Sequence, residues 1–338
     1  MKRIVCTIAT AAALAFPCFA QSWHAETNFE FEGDYSFPNL EATDASGLVP
    51  IRYGVVDSPN AGDPTQARSA GSSWGGGQAK AILDSRLVFP MMTGQGALTK
   101  DNNLAIDFAG ELSPVSVNGN VKFTLTPVAF LQFNAGGGIG TGWDIGFIGL
   151  GVHAADGTID PQNFGGIIYR GWFEGVFQFD LAALWPGDWH HIVALADDKL
   201  EYQAYSNASD TTPWIWEADN GMDFNGWQLY GSYFLGYQMP IALDTAGLLF
   251  QTQGYVGRAA SMSPLSSGGW GSDFTQLTFG PLFDFQLGKG SSIAILPQFQ
   301  TGIKWTAATQ WDTDFTKRVY QDAYLYFYRI AFDYNLKL

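Results

Sequence analysis

The last fifteen residues of this 338-residue chain alternate between apolar and polar side chains with a period of two. Large apolar or aromatic residues take the even positions from Tyr324 to Leu338, and Arg329, Asp333 and Lys337 lie between them. Because successive side chains of a β-strand point to opposite faces, this pattern predicts one long strand with an apolar face and a polar face. The rest of the chain must then supply partners for that strand.

The same alternation recurs along the chain and gives twelve candidate strands. They are residues 23–32, 47–56, 79–89, 104–112, 120–133, 167–181, 191–205, 225–239, 247–257, 277–287, 293–305 and 324–338. No helical stripe competes with them after Ala20. We therefore predict an all-β fold, a transmembrane antiparallel up-and-down β-barrel of about twelve strands, with ten to fourteen left open.

The first twenty residues have the pattern of a cleaved signal peptide. Lys2 and Arg3 form a basic start, residues 4–16 are apolar, and Cys18-Phe19-Ala20 ends the segment as a signal peptidase site does. Thirteen apolar residues are fewer than the roughly 20 that cross a bilayer as a helix. We predict cleavage after Ala20, which leaves residues 21–338 as a single barrel domain without cysteine.

Charge excludes one class of function. The chain has 32 acidic and 17 basic residues, and removing Lys2 and Arg3 with the signal peptide changes the net charge to 15 − 32 = −17. Nucleic-acid binding needs clusters of Lys and Arg, so we expect no nucleic-acid partner. No metal-ligand spacing is present either, and we expect no cofactor and no metal.

The predicted connections fall into two length classes. Short ones at 113–118, 185–189, 240–245 and 288–291 alternate with long ones at 134–164, 206–222, 258–272 and 306–318. Counting back from Leu338 places all four short connections at the periplasmic end and predicts long extracellular loops. Residues 57–76 break this order and are interpreted as a loop or a plug, and Gly136–Gly142 as a flexible loop entry.

The chain as a whole resembles the bacterial outer-membrane β-barrel (porin-like) superfamily. The resemblance rests on the signal peptide, the cysteine-free remainder, the alternating aromatic strands and the closing residues Tyr334, Leu336 and Leu338. It implies an outer-membrane location, contact with outer-membrane lipids and lipopolysaccharide, and an assembly signal at those three residues that the assembly machinery reads. In ending on leucine the chain differs from the commonest pattern, which ends on phenylalanine.

If the apolar positions face lipid, the polar positions face the lumen. Aromatic residues near strand ends, Trp172 and Trp227 among them, are then expected at the membrane interfaces. The predicted pore-lining residues are Lys80, Asp84, Arg86, Asp107, Glu111, Lys122, Arg170, Glu174, Asp284, Lys304, Arg329 and Asp333.

Both signs of charge on this face favour a channel for passive diffusion of small hydrophilic solutes or ions. One alternative is a non-conducting barrel whose outer loops act in adhesion or envelope structure. A second is an outer-membrane hydrolase that depends on a histidine, for which only four residues are available. They are His24, His153, His190 and His191.

Overall fold

The computed structural model describes residues 23–36, 76–145, 149–153, 159–217, 223–267, 271–305 and 320–338. The predicted signal peptide, the candidate strand at 47–56 and the segment 57–75 lie outside the described residues. No helix in the described ranges is long and apolar enough to cross a membrane.

Twelve long antiparallel strands form a closed ring. They are β1 (His24–Ser36), β2 (Gly76–Pro90), β3 (Asn103–Leu112), β4 (Ser116–Val128), β5 (Leu131–Gly142), β8 (Ile168–Asp180), β9 (His191–Tyr205), β11 (Gly226–Gln238), β12 (Leu243–Val256), β13 (Gln276–Gly288), β14 (Ser291–Trp305) and β15 (Tyr320–Lys337). Three short strands lie in the connections: β6 (Leu150–His153), β7 (Ile159–Pro161) and β10 (Trp214–Trp216). The predicted all-β up-and-down barrel of twelve strands is confirmed.

The ring closes between the first and last strands of the wall. β1 pairs with β15 on one side, where Phe31 lies opposite Tyr334, and with β2 on the other. Every neighbouring pair is antiparallel, and because the ring is closed no sheet edge is left open.

Apolar side chains cover the outside of the wall. Leu248 is 67% exposed, Phe173 64% and Leu235 62%, whereas Thr124 and Gln228 on the opposite parity are each 1% exposed. A water-soluble barrel distributes its side chains the other way round. The wall therefore has the distribution expected of strands that face lipid outside and polar groups inside.

The number of strands was predicted correctly, but one hairpin was missed. Residues 120–133 were predicted as one strand, and the structure divides them between β4 and β5 around a turn at Ala129 and Phe130. The two-residue turn preserves the alternation, so Pro127 and Leu131 keep the same parity across it. Because the ring closes with β1 beside β2, the wall needs no strand from residues 47–56.

That missed hairpin changes the order of the connections. We call the end where β1 begins and β15 ends the terminal end, and the opposite end the loop end. The connections at 181–190, 239–242 and 289–290 lie at the terminal end as predicted, together with 91–102 and 129–130. The connection at 113–115 lies at the loop end with the long ones, so its predicted periplasmic position is wrong. β1 ends and β2 begins at the loop end, so the predicted order has no anomaly between them.

The glycine run Gly136–Gly142 is part of β5 and not a flexible loop entry. On its inner face a Cβ at Gly136 would collide with the Trp172 ring, and one at Gly138 would collide with Asn120. Glycine therefore makes room in the wall for large side chains from both neighbouring strands. Trp172 shares the inner face with Arg170 and Glu174, so its predicted place in an outer aromatic girdle is wrong.

Candidate functional site

The pairing of the strands brings the predicted pore-lining residues onto the inner face of the barrel. They sit on β2 (Lys80, Asp84, Arg86), β3 (Asp107, Glu111), β4 (Lys122), β8 (Arg170, Glu174), β13 (Asp284) and β15 (Arg329, Asp333). Lys304 is in β14 opposite Asp322, but its side chain lies outside the described residues.

The centre of the charged face is a triad across three strands. Register places Arg86, Asp107 and Lys122 side by side on β2, β3 and β4. The Asp107 carboxylate lies 3.5 Å from an Arg86 nitrogen and 3.9 Å from Lys122 Nζ. Asp107 has a side-chain exposure of 6%, whereas Lys122 has 37%. The acid is thus buried against the wall, and its two cations extend over it.

Two further pairs repeat this arrangement elsewhere in the barrel. Arg329 Nη1 lies 3.0 Å from Asp34, and Lys199 Nζ lies 2.9 Å from Glu201. In both pairs the base keeps 27–29% of its side chain exposed and the acid 4–7%. Lys199 also lies 4.4 Å from the centre of the Tyr230 ring, a cation–π contact. The accessible charges of these pairs are therefore cationic, although the chain as a whole is acidic.

Two long connections fold together at the loop end. β10 pairs with β6, and β6 pairs with β7, to form a small three-stranded sheet. Its core joins Leu150 and Trp214 to Ile168 and Tyr205, which belong to the barrel strands β8 and β9, and all four side chains are at most 1% exposed. This burial fixes the small sheet to the barrel.

Trp216 and Glu217 extend from this sheet over the inner wall. A Cβ on Gly140 would lie 2.8 Å from the Trp216 ring, so glycine in β5 leaves space for that ring. The Glu217 carboxylate accepts hydrogen bonds from Ser116 Oγ at 2.8 Å and from Asn118 Nδ2 at 2.7 Å. These contacts hold both side chains against the inner wall at the loop end, and we call the residues Trp216, Glu217 and Arg170 the mouth constriction.

Arg170 joins the mouth constriction to the barrel wall. Its guanidinium lies 5.0 Å from the centre of the Trp216 ring and donates to Asn120 Oδ1 at 2.9 Å. Asn120 in turn donates to Glu111, which lies 3.7 Å from Lys80 Nζ. Charged groups from β2, β3 and β8 are thereby connected to the inserted loop through one polar network.

Trp216 and Glu217 were not predicted from the sequence. The segment Trp214-Ile215-Trp216 is too short to show a period, and nothing in it indicates which wall it contacts. Glu217 has a positive φ of 57°, in a region that non-glycine residues rarely adopt. The network that holds Glu217 offsets the cost of that conformation.

The inner face of β11 to β14 is largely uncharged and rich in amides. Gln298 Nε2 donates to Gln251 at 3.0 Å, and Gln253 Nε2 donates to Gln228 at 3.3 Å. Gln228 and Gln298 are almost fully buried. The lumen therefore has a charged side and a neutral hydrogen-bonding side.

The histidines at the terminal end contact a turn. His191 Nδ1 lies 2.6 Å from Asp180 Oδ2, and the other oxygen of Asp180 accepts the backbone N–H of Ala182 at 2.9 Å. His190 Nδ1 lies 3.3 Å from the Trp185 carbonyl oxygen. His191 and His190 thus have structural contacts in the connection at 181–190. The side chain of His153 lies outside the described residues.

The residues of the predicted assembly signal complete the wall. Tyr334 and Leu336 pair across from Phe31 and Phe29 of β1. Leu338 follows the end of β15, and its backbone N–H donates to the Thr27 carbonyl at 2.8 Å. Whether the assembly machinery reads these residues stays a prediction.

No protein-family description matches the chain, and no curated protein matches its sequence. Solved structures that resemble it include the KdgM porin, at 8% identity and a TM-score of 0.32, with 92% of this chain and 99% of that chain covered. The beta domain of the Bordetella autotransporter Brka has 10% identity and a TM-score of 0.36, with 92% and 98% covered. The outer membrane channel DcaP of Acinetobacter baumannii has 9% identity and a TM-score of 0.34, with 94% and 97% covered. Likenesses this distant carry no argument about what the chain does, and its barrel is established by the pairing of its own strands.

Proposed function

We propose that this chain is an outer-membrane channel through which small hydrophilic solutes or ions diffuse passively. The proposal rests on one observation. Charged side chains remain accessible inside a closed wall whose outer face is apolar. Lys122, Arg86 and Arg329 keep 27–37% of their side chains exposed on the inner face. Charged groups stay accessible there only where water reaches them.

The mouth constriction is the narrow point of the proposed channel. Glu217 supplies an anionic group, and Arg170, whose guanidinium lies over the Trp216 ring, supplies a cationic group, so a solute passing this end meets both signs of charge. Rings and pairs of charge near a constriction set ion preference in channels. We expect this pair and the central cations to determine the reversal potential.

Single-channel recording under a salt gradient tests the proposal. The purified barrel is inserted into a planar bilayer, and the reversal potential is compared between wild type and the triple variant Lys122→Glu, Arg170→Glu, Arg329→Glu. We expect discrete conductance steps and a shift of the reversal potential toward cation preference in the variant. The matched control is Lys100→Glu, in the terminal-end connection at 91–102, where the side chain is 63% exposed. Equal reversal potentials for the triple variant and wild type would contradict the pore-lining assignment.

A second candidate is a barrel that does not conduct and acts through its outer loops. The burial of inner-face side chains favours this candidate. Thr124, Gln228 and Gln298 are only 1–2% exposed, so other groups of the chain cover the inner wall at those positions. Silence in the recording, from a barrel shown to be inserted by its resistance to unfolding in detergent before heating, would favour this candidate. Conduction would exclude it.

A further inference from the structure

Away from the strand ends, the outer face of the described barrel strands has one charged side chain. Asp198 is exposed near the middle of β9, eighth of the fifteen residues of His191–Tyr205. Its neighbours on the same face are apolar or small, and the rings of Tyr202 and Trp227 stack edge to face nearer the loop end. The carboxyl group is thus on the face that contacts hydrocarbon, well inside the aromatic boundary.

The Asp198 carboxyl group accepts a hydrogen bond from its own chain and lies beside an open part of the outer surface. Tyr233 donates its hydroxyl to Asp198 Oδ1 at 2.7 Å. Register places Asp198 between Gly175 on β8 and Gly231 on β11. An added Cβ at Gly175 would meet nothing within 4 Å, so the wall beside Asp198 is a shallow depression.

Larger apolar side chains border the depression. Phe173 and Phe177 are the outward neighbours of Gly175 along β8, with exposures of 64% and 44%, and Leu229 on β11 is 43% exposed. Between transmembrane helices, packed contacts are rich in small residues that allow close approach and in polar side chains that hydrogen-bond across the contact. Hydrocarbon tails offer no donor to the second oxygen of Asp198.

We infer that a second copy of this chain packs against the outer face of β8, β9, β11 and β12 around Asp198. The patch holds an acceptor and a donor on one row, since Asp198 is in register with Gly231 and Gly231 with Thr252. The Thr252 hydroxyl oxygen would lie 2.6 Å from a Cβ on Gly231, so it sits close over that glycine on the outer face.

A two-fold axis along the membrane normal explains why a second copy fits. Such an axis keeps both barrels in the same orientation across the membrane. The row of Asp198, Gly231 and Thr252 then lies at the same depth in both copies and runs in opposite directions along the contact. The Asp198 carboxyl group of each copy then faces the Thr252 hydroxyl of the other. Gly175 allows the two walls to approach closely beside Asp198, whereas the Tyr233 side chain lies over Gly231.

The mass of the assembly tests the inference. Sedimentation equilibrium in dodecyl maltoside and single-molecule photobleaching in phosphatidylcholine vesicles are applied to the purified barrel. We expect a dimer for wild type and a dissociation constant raised about tenfold or more by Gly175→Leu, which fills the depression. The matched control is Gly119→Leu on β4, where an added Cβ also meets nothing within 4 Å but no charged residue is adjacent. We expect this control to stay dimeric.

Thr252→Val serves as a second variant, since it removes the hydroxyl at nearly constant shape and leaves Gly175 unchanged. A monomeric wild type at all protein-to-lipid ratios would overturn the inference, as would equal dissociation constants for Gly175→Leu and Gly119→Leu. The outcome is independent of conduction. A silent dimer would reject the proposed channel and keep the interface, and a conducting monomer would do the reverse.

Discussion

Three acidic side chains on the inner face are more buried than the basic partners that lie over them. Asp107, Asp34 and Glu201 are short enough to stay against the wall, and the longer Arg and Lys side chains reach over them into the lumen. The alternation of the sequence indicates which residues share a face of one strand. It could not predict which acid pairs with which base, because the partners come from strands that only the register brings together.

The inner glycines show what happens when such a position gains a side chain. Gly138→Val would place its Cβ against the Asn120 amide, whose oxygen accepts the hydrogen bond from Arg170. We expect unfolding in urea to become easier by about 1–3 kcal/mol, as for other overpacked positions. Gly119→Val on the outer face of β4 is the control and should change stability by much less. Equal losses of stability for the two variants would show that the glycine run is explained by the conformational freedom of the backbone and not by the space that neighbouring side chains need on the inner face.

At the scale of elements, the least predictable part is the loop-end sheet. β6, β7 and β10 contain three or four residues each, which is too few for a period to be recognised. Burial explains their position, because Leu150 and Trp214 pack on Ile168 and Tyr205 of the wall. The long strands were predictable because an alternation runs along ten or more residues, and the hairpin at 129–130 was missed because a two-residue turn leaves that alternation unbroken. In β15 the predicted apolar face is wrong before Arg329, because a bulge opposite Gln298 and Phe299 turns Leu325 and Phe327 outward and buries Tyr328.

Trp214 is the residue whose removal should release this sheet. Its side chain is fully buried, and truncation of a buried tryptophan to alanine costs about 3–5 kcal/mol. Since Trp214 lies in a connection and not in the wall, the loss in Trp214→Ala should appear as undocking of residues 206–225 with the barrel intact. We expect larger single-channel conductance and faster proteolysis in that connection, because Trp216 and Glu217 leave the inner wall.

Ile145→Ala is the control for that variant, since Ile145 is also apolar and in a loop-end connection but is 59% exposed. Conductance and proteolysis should match wild type there. Unchanged proteolysis at residues 206–225 in Trp214→Ala would show that the hydrogen bonds of Glu217 alone hold the loop, and the mouth constriction would then depend on Ser116 and Asn118.

The whole molecule combines an asymmetric lumen with a nearly uniform exterior. Inside, charged residues concentrate on β15, β1 to β4, β8 and β9, and amides such as Gln251 and Gln298 lie on β12 and β14. On the outer face, Asp198 interrupts the apolar side chains. The sequence did not indicate whether Asp197 or Asp198 faces outward, because the two acids are adjacent on the same strand.

Insertion in a membrane makes a prediction that a water-soluble barrel would not share. Leu248 is 67% exposed near the middle of β12, and Leu287 is 59% exposed one residue before β13 ends. In lipid, an arginine costs about 2–4 kcal/mol at mid-depth and about 0–1 kcal/mol near the interface. We therefore expect Leu248→Arg to lower the free energy of unfolding from phosphatidylcholine vesicles by the larger amount, and Leu287→Arg by the smaller. In water both changes would be nearly neutral, because an exposed leucine gains nothing from staying apolar there. A loss of unfolding free energy that depends on depth would show that the outer face lies in hydrocarbon. Small and equal losses would indicate a soluble barrel, whose exposed apolar wall would then have to be buried against another partner.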